Sequence, residues 1–127
     1  MRFAEVVGHN DLKQKLIDTV KQERVSHSQF FYGPEGNGAF ALAEAYAQYL
    51  LCDNPSYHDS CGQCTPCKQI LHFNYPDLHY VYPVAKVNTK SSDKPVSGDY
   101  MPAWKSLLAE RKILWHFSLA GIFGYRK

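Results

Sequence analysis

The sequence predicts an α/β fold in which parallel strands are flanked by helices and a small cysteine-rich module is inserted. The first observation is the order of segments over residues 29–51, where an aromatic run, a glycine-rich turn and an alanine-rich stretch follow one another. Strand, glycine loop and helix in this order are typical of a phosphate-binding unit. The second observation is a group of four cysteines within the sixteen positions of residues 52–67, which indicates the inserted module.

The composition fits one modest globular domain. The chain has 127 residues, of which 45% are apolar and 20% are charged, and these fractions are not those of a disordered or membrane-spanning protein. No apolar run approaches the roughly 20 residues that cross a bilayer, and the amino terminus lacks the pattern of a secretory signal. We therefore expect a cytoplasmic location and no membrane partner. The formal net charge of +2 is too small to indicate nucleic-acid binding by electrostatics alone.

The first half of the chain predicts an extended segment, a helix and a strand. Residues 1–8 are expected to be extended, and a helix is expected to run from a side-chain cap at Asn10 or Asp11 to about Glu23. Apolar residues at helical spacing define one face of that helix: Leu12, Leu16, Ile17 and Val20. The aromatic run at 29–32 predicts a short buried strand.

The middle of the chain predicts a long helix and then a loop. Residues 39–51 are rich in alanine and leucine and contain no helix breaker, so a helix is expected there. Residues 52–67 are expected to be loop-like, and one or two helical turns are expected over 68–73.

The second half predicts a further strand and a further helix. A strand is expected at 78–84 and an exposed polar loop at 86–98. Three lysines of that loop are candidates for phosphate contacts with a nucleic acid, but ordinary solvated side chains are the preferred interpretation: Lys86, Lys90 and Lys94. Pro102 is suited to open a helix that continues to Arg111.

The cysteines are spaced as C-x8-C-x2-C-x2-C, at Cys52, Cys61, Cys64 and Cys67. Zn²⁺ prefers four soft donors in a tetrahedron, and each C-x2-C pair supplies two thiolates from one tight turn. Four protein ligands leave no open position for water, so the predicted zinc ion is structural.

Other interpretations of the cysteines remain open. Iron–sulfur proteins share the C-x2-C-x2-C run, but the usual following cysteine is missing from residues 68–71. Disulfides are disfavoured by a reducing compartment, and four unligated thiols are unexpected at this density. His58 and His72 lie near enough in sequence to replace a cysteine, but surface positions are the preferred interpretation.

The glycine-rich turn matches only part of the phosphate-loop consensus G-x-x-x-x-G-K-[ST]. Its eight residues are Gly33, Pro34, Glu35, Gly36, Asn37, Gly38, Ala39 and Phe40. Both outer glycines are present, but Ala39 replaces the lysine that neutralises the nucleotide phosphates, and Phe40 replaces the hydroxyl that ligates Mg²⁺. Glu35 adds a carboxylate that would repel phosphate. We therefore expect no ATP hydrolysis at this loop, no ATP cofactor and at best weak nucleotide binding.

Several segments together resemble the N-terminal portion of bacterial DNA polymerase III clamp-loader subunits of the AAA+ class of P-loop NTPases. They are FAEVVGHNDLKQKL (3–16), RVSHSQFFYGPEGNG (24–38), LAEAYAQYLLC (42–52), CGQCTPC (61–67) and PDLHYVYP (76–83). The resemblance implies that the four cysteines bind zinc in a small module projecting from the nucleotide-binding domain. Ala39 and Phe40 favour the non-hydrolysing delta-prime type over its gamma/tau relatives.

The resemblance implies a role in DNA replication, with other clamp-loader subunits as protein partners and the sliding clamp and primed DNA reached through the complex. The Ser-Arg-Cys motif that carries the family's catalytic arginine is not found in this sequence, so no catalytic residue is expected and the chain is not expected to be an enzyme by itself. Two alternatives remain: a gamma/tau-like or other P-loop ATPase with a degenerate site, and a zinc-binding adaptor for protein interactions.

The resemblance also sets the expected domain boundaries. Residues 1–51 would form the N-terminal part of the AAA+-like domain, 52–75 the zinc-binding insertion, and 76–111 the continuation of the α/β domain. Residues 112–127 do not resemble the family, so the chain is expected to be truncated or altered there. The simplest interpretation of this tail is a terminal amphipathic helix; unpacked, its Trp115, Phe117 and Phe123 would favour association.

Overall fold

The computed structural model describes residues 1–34, 36–82, 97–109 and 121–124. Its elements, in chain order, are a 3₁₀ turn (Phe3–Glu5), helix α1 (Asn10–Lys21), strand β1 (Ser28–Phe31), helix α2 (Ala39–Leu50), helix α3 (Thr65–Leu71), a 3₁₀ turn (Ser97–Tyr100), helix α4 (Met101–Ala109) and strand β2 (Gly121–Gly124). The predictions made for Glu35, for Lys86, Lys90 and Lys94, for Trp115 and Phe117, and for most of the loop at 86–98 lie outside the described residues.

Helix α1 begins where the chain turns through two left-handed residues. Gly8 and His9 have φ angles of 73° and 56°, and the His9 carbonyl accepts a hydrogen bond from the Lys13 amide at 2.9 Å. The predicted side-chain cap from Asn10 or Asp11 is wrong: His9 occupies the capping position and its side chain makes no capping bond. Asn10 and Asp11 already belong to the first helical turn, so their side chains cannot cap from outside it.

The apolar face of α1 is buried over its C-terminal part. Leu16 and Ile17 are 9% and 2% exposed, and Val20 is partly buried against the same core. Leu12 lies on the predicted face but is 43% exposed, because it borders an open cavity instead of a packed neighbour.

Helix α2 is the centre of the core. It packs against α1, α3, both strands and the first 3₁₀ turn. The apolar side chains of this core cluster are Phe3, Val6, Leu16, Ile17, Phe31, Leu42, Ala43, Ala45, Tyr46 and Tyr49. The helix predicted over 39–51 is therefore confirmed to within one residue of its C-terminal end.

The two described strands form an antiparallel pair in which Ser28 faces Gly124 and Phe31 faces Gly121. Among the residues that the structure describes, the predicted parallel pairing is not found. The strand predicted at 29–32 begins and ends one residue earlier, at Ser28 and Phe31. Only one of its faces is buried, since Phe31 is 8% exposed and Phe30 is 62% exposed. Residues 121–124 form this strand, so the helical interpretation of the tail is wrong for these four positions.

The remaining elements differ from prediction mainly in their ends. Helix α3 begins at Thr65, inside the predicted loop, because Pro66 in its first turn is pre-set for helical backbone. Helix α4 starts at Met101 and follows a 3₁₀ turn that replaces the end of the predicted loop. Residues 78–82 have no regular structure, so a strand there is wrong; Tyr82 instead stacks on Trp104 with ring centroids 4.4 Å apart.

Over the described part of the chain, no helix is both long enough and apolar enough to cross a membrane.

Candidate metal centre and phosphate loop

The four cysteines come from the end of one helix, a tight turn and the start of another helix. Cys52 follows the last residues of α2, Cys61 and Cys64 flank the turn, and Cys67 lies in the first turn of α3. Gly62 has a φ of 70°, a left-handed conformation that forms the tight turn predicted between Cys61 and Cys64. Cys52 and Cys67 are buried, and Cys61 and Cys64 are half-buried.

All four sulfur atoms lie within 4.8 Å of one another. The Sγ atoms of Cys52 and Cys64 are 3.9 Å apart, and those of Cys61 and Cys67 are 4.0 Å apart. Four sulfurs around a tetrahedral ion with bonds of about 2.3 Å would be separated by about 3.8 Å, whereas a disulfide needs about 2.05 Å. All four cysteines are free. The group therefore has the size and donor set of a closed four-thiolate metal site.

Backbone amides surround the sulfurs and favour the thiolate form. The Cys61 amide donates to Cys52 Sγ at 3.3 Å, and the Gln63 and Cys64 amides donate to Cys61 Sγ at 3.4 and 3.3 Å. The two bonds from Gln63 and Cys64 lower the pKa of the Cys61 thiol to about 6. Donors of this kind are the outer hydrogen bonds expected around metal-bound sulfur.

Burial acts in the opposite direction on the two inner cysteines. It raises the pKa of the Cys52 thiol, and it raises that of Cys67 to about 12. A bound cation removes this penalty because its charge compensates the thiolates, so metal binding at such a site releases protons.

The two nearby histidines do not join the cysteine group. Among the described residues, the cluster of potential ligands contains the four cysteines and neither His58 nor His72. His58 packs edge-on against the Tyr57 ring, with centroids 4.7 Å apart. The structure therefore brings together all four cysteines predicted from their spacing.

The side chain of Asn37 occupies the space beside Gly33 in the glycine-rich loop at 33–40. Asn37 Oδ1 accepts a hydrogen bond from the Ala39 amide at 3.0 Å, at the start of α2. A side chain placed at Gly33 would overlap the Asn37 amide group, so Asn37 lies across the loop. His9 Nε2 donates to the Asn37 carbonyl at 2.7 Å, which fixes the loop against the turn before α1.

The two positions that differ from the consensus carry no phosphate-binding side chain. Ala39 is the first residue of α2, and the Phe40 ring packs edge-on against Trp104 at 6.3 Å. A cavity of about 550 Å³ lies beside the loop, lined among others by His9, Leu12, Phe31, Asn37 and Leu42. The role of Asn37 escaped prediction, although asparagine's tendency to bond nearby backbone amides was a usable signal.

The chain is similar to subunits of DNA polymerase III. The family described as "DNA polymerase III, delta subunit" matches residues 8–101. The delta' subunit of DNA polymerase III from Pseudomonas aeruginosa is 34% identical over 74 residues, which are 58% of this chain and 21% of that protein. The delta' subunit from Escherichia coli is 32% identical over 80 residues, which are 63% and 24% of the two chains.

A subunit of a second type is similarly related. The tau subunit of DNA polymerase III from Bacillus subtilis is 30% identical over 77 residues, which are 61% of this chain and 14% of that protein. The chain thus spans about a quarter or less of the length of these curated relatives. No solved structure matches it. Because the family match extends over well more than half of the 127 residues, the chain belongs to the DNA polymerase III delta subunit family.

Proposed function

We propose that this chain is a non-hydrolysing, delta-prime-like clamp-loader subunit, or a fragment of one, that acts in DNA replication by helping to load the sliding clamp onto primed DNA. Family membership supports the replication role. Its partners are other clamp-loader subunits, and the clamp and primed DNA are reached through that complex.

The start of α2 is the observation that carries the non-hydrolysing assignment. Phosphate loops need a lysine on the nucleotide phosphates and a hydroxyl on Mg²⁺, and here Ala39 and Phe40 stand in those positions. The Ala39 amide, which a phosphate loop would offer to an anion, is already bonded to Asn37 Oδ1. Nucleotide would therefore have to displace a group of the protein and would gain no charge neutralisation.

Calorimetric titration with Mg²⁺ and ATP, joined to a phosphate-release assay, tests this assignment. We expect neither saturable binding nor hydrolysis. The matched variant A39K/F40T restores the consensus pair and serves as the comparison. Saturable binding with Mg²⁺-dependent hydrolysis by the unaltered chain would instead favour the tau-like ATPase alternative.

Association with the complex is tested separately. The full chain is mixed with tau-type and delta subunits, and co-elution is measured by size-exclusion chromatography. We expect a stable complex that contains this chain. Failure to associate with any clamp-loader subunit would contradict the replication role, whatever the nucleotide experiments show.

We also propose that Cys52, Cys61, Cys64 and Cys67 hold a structural Zn²⁺ ion in a module formed by residues 52–75. The sulfur separations and the four-thiolate donor set support zinc. The ion would supply charge compensation and a covalent-like cross-link between α2 and α3, and its closed ligand set leaves no position for a substrate.

Elemental analysis with and without a chelator tests the zinc assignment. We expect about one equivalent of zinc per chain in the unaltered protein and a large loss in C61S. The variants H58A and H72A are matched controls that should keep the metal. Iron with visible absorption, or no metal in freshly reduced protein, would contradict zinc.

The stand-alone adaptor alternative predicts a cysteine module that binds a partner without the rest of the fold. Its loop, however, hydrogen-bonds to the amino-terminal segment, since Asp59 Oδ1 accepts from the Phe3 amide at 2.9 Å. This contact favours a module that is built into the domain, and we propose that regions 1–51 and 52–75 form one folding unit, which 76–111 would continue.

A further inference from the structure

The loop that joins Cys52 to Cys61 carries an anchor for the amino-terminal segment. Asp59 Oδ1 accepts a hydrogen bond from the Phe3 amide at 2.9 Å, and Asp59 Oδ2 accepts one from the Ala4 amide at 2.9 Å. Phe3 and Ala4 begin the first 3₁₀ turn, where backbone amides have no partner within the helix. The Asp59 carboxylate therefore caps this turn from a distant part of the chain.

The Asp59 side chain is held in place by its own loop. Ser56 Oγ accepts from the Asp59 amide at 3.0 Å and donates to the Asp59 carbonyl at 2.8 Å. The Ser60 amide donates to Asp59 Oδ1 at 2.8 Å. Because these bonds fix its backbone and its carboxylate, Asp59 can accept from the Phe3 and Ala4 amides only while the loop keeps this conformation.

The same loop is closed at the metal centre. Its ends are Cys52 and Cys61, and the Cys61 amide donates to Cys52 Sγ at 3.3 Å. Ser60, next to Cys61, is 4% exposed and its Oγ accepts from Gln48 Nε2 at 3.1 Å. A metal ion that binds both end cysteines would cross-link the loop, whereas its loss would leave thiols whose mutual attraction is weak.

The anchored segment contributes apolar side chains to the core. Phe3 and Val6 are 2% and 5% exposed, and the Phe3 ring packs against Tyr49 with centroids 5.6 Å apart. Tyr49 also donates from its hydroxyl to the Ser56 carbonyl at 3.3 Å. The amino-terminal segment and the 52–61 loop therefore contact the same residue of α2, Tyr49. A change in the conformation of one should alter the packing of the other.

We propose that metal binding at the four cysteines and the order of residues 1–6 are energetically coupled through Asp59, which acts as a positioning residue for both. This inference rests on the proposed metal binding. Because such coupling is reciprocal, metal orders the segment and the anchored segment strengthens metal binding by the same factor.

Hydrogen exchange measures the first half of the coupling. The amides of Phe3 and Ala4 are followed by mass spectrometry in zinc-loaded and chelator-treated protein, and exchange at the Tyr46 amide in α2 is the internal reference. We expect zinc removal to speed exchange at Phe3 and Ala4 by about 5- to 150-fold, and by a larger factor than at Tyr46. Equal exchange at Phe3 and Ala4 in the two states would overturn the proposal.

Zinc affinity measures the second half. Competition with a chromogenic chelator is applied to the unaltered chain, D59N, D53N and L42A. D59N should weaken zinc binding by about 5- to 150-fold. D53N removes the same charge beside Cys52 from an exposed position, and L42A lowers core stability at a buried position beside the glycine-rich loop, so both should have smaller effects.

The outcomes separate the two proposals. If the unaltered chain takes up no zinc, the metal assignment and the coupling fail together. If it takes up zinc but D59N binds as tightly as the unaltered chain, or no more weakly than D53N and L42A, the zinc assignment stands and the coupling is overturned.

Discussion

Cys61 and Cys67 belong to one site but differ sharply in their surroundings. Cys61 is half-buried and receives two backbone amides, which lower its pKa to about 6. Cys67 is 1% exposed, and burial raises its pKa to about 12. Without metal, these shifts favour the thiolate of Cys61 and the neutral thiol of Cys67, so the two should differ in chemical reactivity.

We expect iodoacetamide to modify Cys61 well before Cys67 in metal-free protein at pH 7. The Cys61 rate should rise as pH increases through about 6 and then level off. Peptide mass spectrometry over a pH series gives both rates. Zinc-loaded protein is the control and should be protected at both positions, and equal rates in the metal-free protein would contradict the expectation.

The same shift has a consequence for stability. The folded pKa of Cys61 is about 6, below the ordinary value of 9.0, so ionisation of this thiol favours the metal-free fold. Its contribution should be complete above about pH 9 and lost as pH falls through about 6. Comparison of urea unfolding of metal-free protein and its C61S variant across this range isolates the effect, which should vanish below pH 6.

Residue spacing was sufficient to predict the cysteine cluster but not its support. A C-x2-C pair reports a local turn, so Cys61, Cys64 and Cys67 could be assigned from sequence. Asp59 could not, because its amide partners are 55 and 56 positions away and no local pattern records them.

At the scale of elements, α1 offers an internal comparison between buried and exposed positions. We expect I17A to lower the free energy of unfolding by about 2–5 kcal/mol, since Ile17 is 2% exposed and its loss leaves a cavity. L12A should cost less than about 1 kcal/mol because Leu12 borders open space. Urea unfolding measures both, and equal losses would contradict the assigned face.

At the start of α2, the Ala39 amide donates a hydrogen bond to the Asn37 side chain. We expect N37A to lower the free energy of unfolding by about 1 kcal/mol, because the Ala39 amide loses its acceptor. The exposed Asn54 provides a control, and N54A should be nearly neutral. Thermal unfolding of both variants in the zinc-loaded state decides the matter, and a neutral N37A would show that the cap contributes nothing.

The helices were easier to predict than the strands for a physical reason. Residues 39–51 have a strong local preference for helix, and tertiary packing agrees with it. Strand formation needs a partner, so the aromatic run at 78–82 could not be assigned from its composition. Tyr82 uses its ring to stack on Trp104, and β1 pairs with residues 121–124, 90 to 96 positions away in sequence.

At the scale of the whole molecule, α2 connects the glycine-rich loop to the group of four cysteines. The amide of its first residue, Ala39, donates a hydrogen bond to Asn37 Oδ1, and Cys52 lies just past its last residue. Between these ends, the helix lies against α1, the strands and the first 3₁₀ turn. The sequence predicted the two sites separately, but their common support is a property of the packed core.

This shared support predicts that zinc stabilises the whole domain and not the module alone. Free zinc at about a thousand times the Kd should add ~4 kcal/mol to the free energy of unfolding. Calorimetry should detect one transition that moves as a unit with zinc concentration. C64S is the control and should be insensitive to zinc, whereas a separate low-temperature transition would indicate an independent module.

The contact between Asp59 and the first residues also bears on how the chain is made. Phe3 and Ala4 leave the ribosome long before Asp59, since 56 and 55 positions separate them. Their amides therefore have no Asp59 acceptor until the later loop has been made, and closing so long a segment carries an entropic cost. Under the proposed coupling, zinc binding during synthesis would set when Phe3 and Ala4 become ordered.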